Sequence, residues 1–359
     1  MDHITDTMEM VEHLHLPAFC VREGIIVKVN TAAASRMVES GTSVFELLKT
    51  GAEEYRDFRG GCLYLTVCLN SQNLGFSVCR KNGFDLFQLE QDNQAPELQA
   101  MALAARELRE PLASIMITAD QLFPSRSDAT PEDDARIARI NRGLFQMLRL
   151  ISNMSDAGRY VTGTANKEIK NISSLFDEIF SKAAVLVEHA GIRLEYTGIP
   201  NAINSLANCE LLERAVLNII SNAIKFTPKG GLIQATLLRR GNKLYLSIRD
   251  NGAGIPENLR GTLFSRCTRE PGMEDGRYGI GLGFVMIRSA AAQHGGTVLV
   301  DHPEGGGTRV TMTLTVQPGT GELLRSPILK VDYAGERDHG LLELSEVLPA
   351  KLYHPDKNS

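Results

Sequence analysis

The stretch that decides the fold is Arg249-Asp250-Asn251-Gly252-Ala253-Gly254-Ile255-Pro256. It follows residues 244–248, where apolar residues alternate with others, a pattern that predicts a strand. Taken alone, the stretch fits a turn, because Asp-Asn-Gly ends strands and favours positive φ. It also fits a ligand loop. A carboxylate at a strand end can accept the exocyclic amine of a purine, and glycines let the backbone pack against the base.

The composition is typical of a soluble globular protein with two or three domains. The 359 residues are 43% hydrophobic and 23% charged, and the net charge of -5 gives no reason to expect nucleic acid as a partner. No apolar run approaches the roughly 18 residues that span a membrane, and the N-terminus does not resemble a signal peptide, so we expect a cytoplasmic protein. The scattered cysteines predict reduced thiols rather than a metal site.

Residues 1–92 predict a small α/β domain. Two strands are joined by the turn Arg22-Glu23-Gly24, and Asn30 or Thr31 can cap the short helix that follows. This order, with the segment Leu16-Pro17-Ala18-Phe19, resembles a PAS sensor domain. A dimerising β-rich module without a ligand is an equally good interpretation. The predicted strands lie at residues 19–21, 24–29, 62–68, 75–79 and 84–89.

Residues 96–160 predict an antiparallel helical hairpin. Apolar residues recur at alternating spacings of three and four along 98–122 and again along 137–154, which is a heptad seam. Thr130 is the predicted N-cap of the second helix, with Pro131 at its first position. One hairpin leaves much apolar surface open. We therefore expect two copies to form a dimeric four-helix bundle, with an intramolecular bundle as the alternative.

Residues 171–316 predict an α+β sandwich, in which helices alternate with antiparallel strands. Residues 155–170 are predicted to be a linker before it. Ser173 or Ser174 is the expected N-cap of the first helix, and Asn208 that of the second. The predicted helices lie at residues 172–189, 210–226, 256–263 and 282–294, and the strands at 192–196, 232–238, 244–248, 297–300 and 308–315.

Three further stretches favour the ligand interpretation of the opening stretch. Asn218 and Asn222 lie four residues apart and share one helix face, with Lys225 following. An amide oxygen suits Mg²⁺ when phosphates supply the charge, and an ammonium balances those phosphates. Gly279-Ile280-Gly281-Leu282-Gly283 opens a helix and can cradle an anion. The turn Gly305-Gly306-Gly307-Thr308 is the third. Each of these has a simpler interpretation alone, as solvated side chains or an ordinary turn.

Together and in this order, the stretches resemble the ATP-binding domain of the histidine kinase and gyrase-like superfamily, the Bergerat fold, over about residues 210–316. The resemblance implies ATP and Mg²⁺ as cofactors. It implies that Asn222 binds Mg²⁺, that Asn218 and Lys225 lie beside the phosphates, and that Asp250 binds the adenine amine. The other implied nucleotide contacts are Gly252, Gly254, Gly279, Gly281, Leu282, Gly283 and Thr308.

The segment 264–279 resembles the mobile ATP lid of that superfamily. Phe264 matches the first aromatic residue of the lid, whereas Cys267 stands where a second aromatic residue is usual. Lid packing is therefore expected to differ. Candidate phosphate contacts in this segment are Arg266, Arg269 and Arg277.

A heptad hairpin before such an ATP-binding domain is the order found in sensor histidine kinases. Arg106-Glu107-Leu108-Arg109-Glu110-Pro111-Leu112 resembles their phosphoacceptor box, His-Glu-Leu-Arg-Thr-Pro-Leu. Arg106 stands at the acceptor histidine, and Glu110 stands at the threonine. A guanidinium stays protonated and offers no lone pair, so Arg106 cannot accept a phosphoryl group. Glu107, the candidate base, would have no acceptor proton to take.

Two classes of function remain open. The chain can be a kinase that acts in trans on the histidine of a heterodimeric partner, or a non-catalytic ATP-sensing module that holds or releases a partner such as a response regulator. A gyrase-like ATPase is disfavoured, because those proteins lack the hairpin and usually carry Glu at the position of Asn218.

Residues 317–359 lie outside the resemblance. Their apolar stretch 341–348 predicts a docked tail or, alternatively, a partner-binding element.

Overall fold

The computed structural model describes residues 11–90, 95–122, 130–162, 167–256, 263–264, 282–317 and 337–354. These residues fall into two compact units. Unit 1 takes its residues from 1–92 and 236–316, and unit 2 takes its residues from 93–235 and 317–359. Residues 171–316, predicted as one domain, therefore contribute to both units. Both units mix helices and strands, in agreement with the predicted α+β class.

The regular elements follow the prediction closely. Among the described helices, none is both long and apolar enough to cross a bilayer. The helices are α1 Thr31–Ala34, α2 Ala52–Arg56, α3 Ala95–Leu122, α4 Pro131–Thr162, α5 Ile172–His189, α6 Cys209–Phe226, α7 Leu282–Gln293 and α8 His339–Glu343. The strands are β1 Ala18–Arg22, β2 Ile25–Val29, β3 Cys62–Leu69, β4 Gln72–Lys81, β5 Phe84–Leu89, β6 Glu168–Asn171, β7 Arg193–Thr197, β8 Asn204–Ala207, β9 Leu232–Arg240, β10 Lys243–Asp250, β11 Val298–Asp301 and β12 Arg309–Thr315. Short 3-10 helices lie at Val44–Glu46 and Ala350–Tyr353.

Unit 1 is built on one sheet with the strand order β2-β1-β5-β4-β3-β11-β12-β10-β9. All five strands predicted before residue 90 are present. The turn between β1 and β2 has positive φ at Glu23 and Gly24, as its sequence predicts. β3 pairs antiparallel with β11, so that Tyr64 lies opposite Val298. The N-terminal strands and the strands around Asp250 therefore belong to one continuous sheet.

The N-terminal part of unit 1 is packed around aromatic rings. Phe19 stacks on Phe87 with ring centroids 4.9 Å apart. Beside them, the buried carboxylate of Asp85 accepts a hydrogen bond from Tyr55 Oη at 2.8 Å and from Arg80 Nε at 2.7 Å. Because its charge is paired and hydrogen-bonded, Asp85 is tolerated inside an otherwise apolar core.

In unit 2 the predicted hairpin is present, with α3 packed along α4. Thr130 caps α4: its Oγ1 accepts from the Asp133 N–H at 3.2 Å and donates to the Asp133 carboxylate at 2.7 Å. The predicted cap is therefore confirmed. The predicted linker at 155–170 is wrong in its first half, because α4 continues to Thr162. Residues 155–162 contain a single glycine, Gly158, and no proline. A helix that has already formed propagates through such a stretch.

The cap of α5 also differs from the prediction. Asn171, rather than Ser173 or Ser174, accepts the hydrogen bond from the Ser174 N–H. The cause is a strand that local sequence did not predict: β6 pairs with β8 and keeps the chain extended up to Asn171. The cap of α6 agrees with the prediction, since Asn208 Oδ1 accepts from the Leu211 N–H at 3.0 Å.

Candidate functional site

The Asp250 loop of unit 1 holds one carboxylate in a fixed position. Asp250 ends β10 and is 7% exposed. Its Oδ1 accepts from the Gly252 N–H at 2.9 Å and from the Thr308 N–H at 3.1 Å. Among the described residues no donor reaches Oδ2, so this oxygen is available to a ligand. Burial raises the pKa of Asp250 above its usual value, because the backbone N–H donors around its carboxylate offset only part of the lost solvation.

The turn predicted at 305–308 supports this loop. Gly307 has a φ of +83°, and a Cβ on it would lie 1.9 Å from the backbone oxygen of Asp250. Gly254 has a φ of +76°, and a Cβ there would lie 3.3 Å from His302 Nδ1. Both positions therefore require glycine, and the structure brings Asp250, Gly252 and Thr308 together as the sequence predicts.

Part of the predicted phosphate loop and most of the predicted lid lie outside the described residues. This applies to Gly279, Gly281, Cys267 and the three lid arginines. Leu282 and Gly283 form the first turn of α7. Phe264 is buried in unit 1, with its ring centroid 5.7 Å from that of Tyr64 and 5.8 Å from that of Phe284.

In unit 2 one face of α6 carries the predicted phosphate-side residues. Asn218 is 3% exposed and is not a solvated amide. Its Oδ1 accepts from Arg149 Nη2 at 3.0 Å, and its Nδ2 donates to the Arg214 carbonyl oxygen at 2.9 Å and to Glu343 Oε2 at 3.3 Å. Asn222, one turn further on, is half-buried. The side chain predicted to lie beside phosphates is thus bonded within the chain.

A buried ionic cluster surrounds Asn218. Glu343 is fully buried between Arg149 Nε at 3.1 Å and Arg214 Nε at 3.0 Å. Lys225, the predicted phosphate counter-charge, forms an ion pair with Glu346. Burial by itself would raise the pKa of Glu346, but the charges of Arg149 and Lys225 outweigh it and hold that pKa below its usual value.

Sequence reasoning did not predict this cluster. Arg149 and Arg214 are both buried, and a buried arginine needs a carboxylate, but the residues around them in the sequence do not mark that burial. Nothing local identified Glu343 as that carboxylate, because it lies 194 and 129 residues away from the two arginines.

The residues that resemble an acceptor box lie on the surface of α3. Arg106, Glu107 and Glu110 are all exposed, whereas Leu112 is buried against the hairpin. The position where the resemblance places a phosphoacceptor is therefore accessible, and a guanidinium occupies it.

Comparison with known proteins supports the assignment made from the motifs. Residues 207–318 match the family model described as histidine kinase-, DNA gyrase B- and HSP90-like ATPase. Hybrid signal transduction histidine kinase D of Dictyostelium discoideum is 30% identical over 269 residues, which is 71% of this chain and 17% of that protein. Sensor protein KdpD of Mycobacterium tuberculosis is 26% identical over 79% of this chain and 33% of its own length.

This chain therefore spans a third or less of the length of those two relatives. A third relative, the adaptive-response sensory kinase SasA of Crocosphaera subtropica, is 26% identical over 87% of this chain and 84% of its own length. The ATPase match covers Asn218, Asn222, Asp250 and Thr308 together. Residues 207–318 are therefore similar to the histidine kinase-, DNA gyrase B- and HSP90-like ATPases, and the chain as a whole is similar to sensor histidine kinases.

Proposed function

We propose that this chain binds ATP with Mg²⁺ and serves signal transduction without phosphorylating its own hairpin. The observation that carries the proposal is the exposed Arg106 at the acceptor position of α3. A protonated guanidinium has no lone pair with which to attack a γ-phosphate. The Asp250 loop, by contrast, offers a carboxylate oxygen to a ligand, which supports an adenine contact that is kept although the acceptor is lost.

The proposed nucleotide contacts fall into two groups. In unit 1, Asp250 Oδ2 would accept the adenine amine, with Gly252, Gly254 and Thr308 shaping the loop around it. In unit 2, Asn222 would bind Mg²⁺, and Asn218 and Lys225 would serve the phosphates. Bound Mg²⁺ would neutralise and orient the phosphate oxygens. We further propose that Gly279, Gly281, Leu282 and Gly283 cover the triphosphate.

We propose a homodimer formed through the hairpin, with residues 96–160 as the dimerisation element and 1–92 as a PAS-like sensor domain. Support comes from apolar side chains of the heptad seams that stay open in the single chain. Leu108 and Ile115 on α3 are 49% and 52% exposed, and Ile140 and Met147 on α4 are both 48% exposed. A second copy would bury them.

Light scattering on the purified chain tests the dimer, and Ile115→Asp should shift it towards the monomer.

Incubation with radiolabelled ATP tests the absence of self-phosphorylation. The wild-type chain should gain no acid-labile, alkali-stable label, because no histidine stands at the acceptor position. Arg106→His should gain that label if the remaining machinery is active. Arg109→His is the matched control, since it places a histidine one turn away on the same helix. Label on the wild-type chain, or label on both variants alike, would contradict the proposal.

A mixing experiment separates a kinase that acts in trans from a non-catalytic module. The double variant Arg106→His with Asp250→Asn offers a histidine but lacks the proposed adenine contact. If it is labelled only after mixing with the wild-type chain, the wild type transfers phosphate to a partner's histidine. If the single Arg106→His variant binds ATP but gains no label, the non-catalytic interpretation is favoured.

A further inference from the structure

The C-terminal segment, residues 337–354, is an integral part of unit 2. Leu342, Leu344, Leu348 and Tyr353 are 0% exposed. The Tyr353 ring packs edge-on against Phe145 of α4 with centroids 5.2 Å apart. These contacts bury the apolar stretch that the sequence placed in a docked tail, and they fix the polar residues between them.

Two carboxylates of the C-terminal segment face the polar side of α6. Glu343 Oε2 lies 3.3 Å from Asn218 Nδ2, and Glu346 pairs with Lys225. Asn218 and Lys225 are two of the residues proposed to serve the phosphates of ATP. Carboxylate oxygens and phosphate oxygens are both anionic acceptors, so they compete for the same donors.

The backbone of the C-terminal segment is anchored independently of α6. Arg142 on α4 donates through Nε to the Ser345 carbonyl oxygen at 2.9 Å and through Nη2 to the Glu346 carbonyl oxygen at 2.8 Å. Gln146 Nε2 adds a bond of 3.0 Å to the same Ser345 oxygen. Helix α4 therefore holds the turn from which Glu346 reaches Lys225.

Charge explains why the docked segment and a nucleotide exclude each other. The cluster contains the cations Arg149, Arg214 and Lys225, and the two carboxylates already neutralise two of these three charges. A triphosphate brought to the same helix face would meet one buried and one half-buried carboxylate, and like charges at low solvent exposure repel strongly. The carboxylates would have to leave before the phosphates could bind.

We propose that the C-terminal segment is an autoinhibitory element whose Glu343 and Glu346 occupy the phosphate-binding groups of α6, so that ATP binds only when the segment is displaced. This inference rests on the proposed ATP binding. The apparent affinity for ATP then equals the intrinsic affinity multiplied by the fraction of chains in which the segment has left α6.

Glu346→Gln is the first test, because Glu346 is only half-buried and its loss should leave the fold intact. We expect the variant to bind the non-hydrolysable analogue AMPPNP with Mg²⁺ about tenfold more tightly than the wild-type chain in calorimetry. Glu178→Gln is the matched control: it removes an exposed carboxylate that pairs with Lys182 on α5. Its affinity should equal that of the wild type.

Arg142→Ala separates release of the segment from a plain change of charge. The substitution removes a cation, so simple electrostatics would weaken binding of an anionic nucleotide. Release of the segment would instead strengthen it, about fivefold or more. Arg136→Ala on the same helix removes an exposed cation that pairs with Glu132 and Asp133, and it should not tighten binding. Weaker binding by Arg142→Ala would overturn the inference.

Hydrogen exchange on the full chain supplies a readout that does not depend on affinity. Saturating AMPPNP should speed amide exchange in residues 338–354 of the wild type, since nucleotide and docked segment exclude each other. Equal affinities for all variants with unchanged exchange would overturn the inference and leave the proposed ATP binding intact. Absence of AMPPNP binding in every variant would overturn both.

Discussion

The Asp250 loop and the polar face of α6 are both predicted nucleotide contacts, yet the structure treats them differently. At the loop, backbone N–H groups hold one carboxylate oxygen and leave the other open. On α6, Asn218 and Lys225 are engaged by carboxylates 125 and 121 residues further along the chain. A group positioned by nearby backbone stays ready for a ligand, whereas a group satisfied by a distant side chain must first lose that partner.

The largest effect is expected from the buried end of the cluster. Glu343→Gln leaves Arg149 and Arg214 facing a neutral amide, and breaking a buried ion pair on one side costs about 3–5 kcal/mol. Urea unfolding followed by circular dichroism measures the loss of unfolding free energy. Glu178→Gln serves again as the exposed control. A loss below about 1 kcal/mol would mean that the two arginines find other acceptors and that the contrast with the Asp250 loop is weaker than proposed.

Asp250→Asn tests the proposed adenine contact of the Asp250 carboxylate. The amide oxygen can still accept from Gly252 and Thr308, but its NH₂ group would face the adenine amine, donor against donor. A lost hydrogen bond to a charged group is worth about 1.5–3 kcal/mol, or roughly 10- to 100-fold in affinity for AMPPNP. Since burial raises the pKa of Asp250, the ionised carboxylate costs stability at neutral pH, and the variant should unfold no more readily than the wild type. Asp301→Asn, on β11, is the control; unchanged affinity in Asp250→Asn would contradict the adenine assignment.

The dependence of the Asp250 loop on its neighbouring turn is tested by two glycines. Gly307→Ala would bring a methyl group 1.9 Å from the backbone carbonyl oxygen of Asp250, and forcing atoms into such a contact costs about 1–3 kcal/mol. Gly306→Ala is a close control, because Gly306 also has positive φ but has nothing within 4 Å of its Cβ position. The difference between the two melting temperatures isolates the clash from backbone strain. Equal melting temperatures would show that the Asp250 loop rearranges to relieve the clash at little cost in stability.

The smallest effect is a pH dependence at the exposed edge of the cluster. The pKa of Glu346 is lowered from the 4.5 of a free glutamate, so its ion pairs add stability above that pH. The wild type should exceed Glu346→Gln by up to about 1 kcal/mol at neutral pH. The difference should shrink as the pH falls below 4.5 through the lower pKa of the folded state. A difference that is constant with pH would exclude a charge effect.

Much of the fold was predictable because its causes are local. Caps at Thr130 and Asn208 and the turn at Glu23-Gly24 follow from side chains within three residues of the backbone that they satisfy. The predictions that were wrong, the linker at 155–170 and the cap of α5, depended on the propagation of α4 and on the β6–β8 pairing. The residues at both positions were compatible with the observed structure, but long-range pairing and helix propagation chose between the alternatives.

The sequence alone determined which chemical groups the candidate site contains: the Asp250 carboxylate, the α6 amides and the arginine in place of an acceptor histidine. Only the tertiary structure decided which of those groups are already bonded. Glu343 meets Arg149, Arg214 and Asn218 because the C-terminal segment buries its leucines in unit 2. Burial of apolar side chains sets that docking, and spacing along the chain does not encode the contacts that it creates.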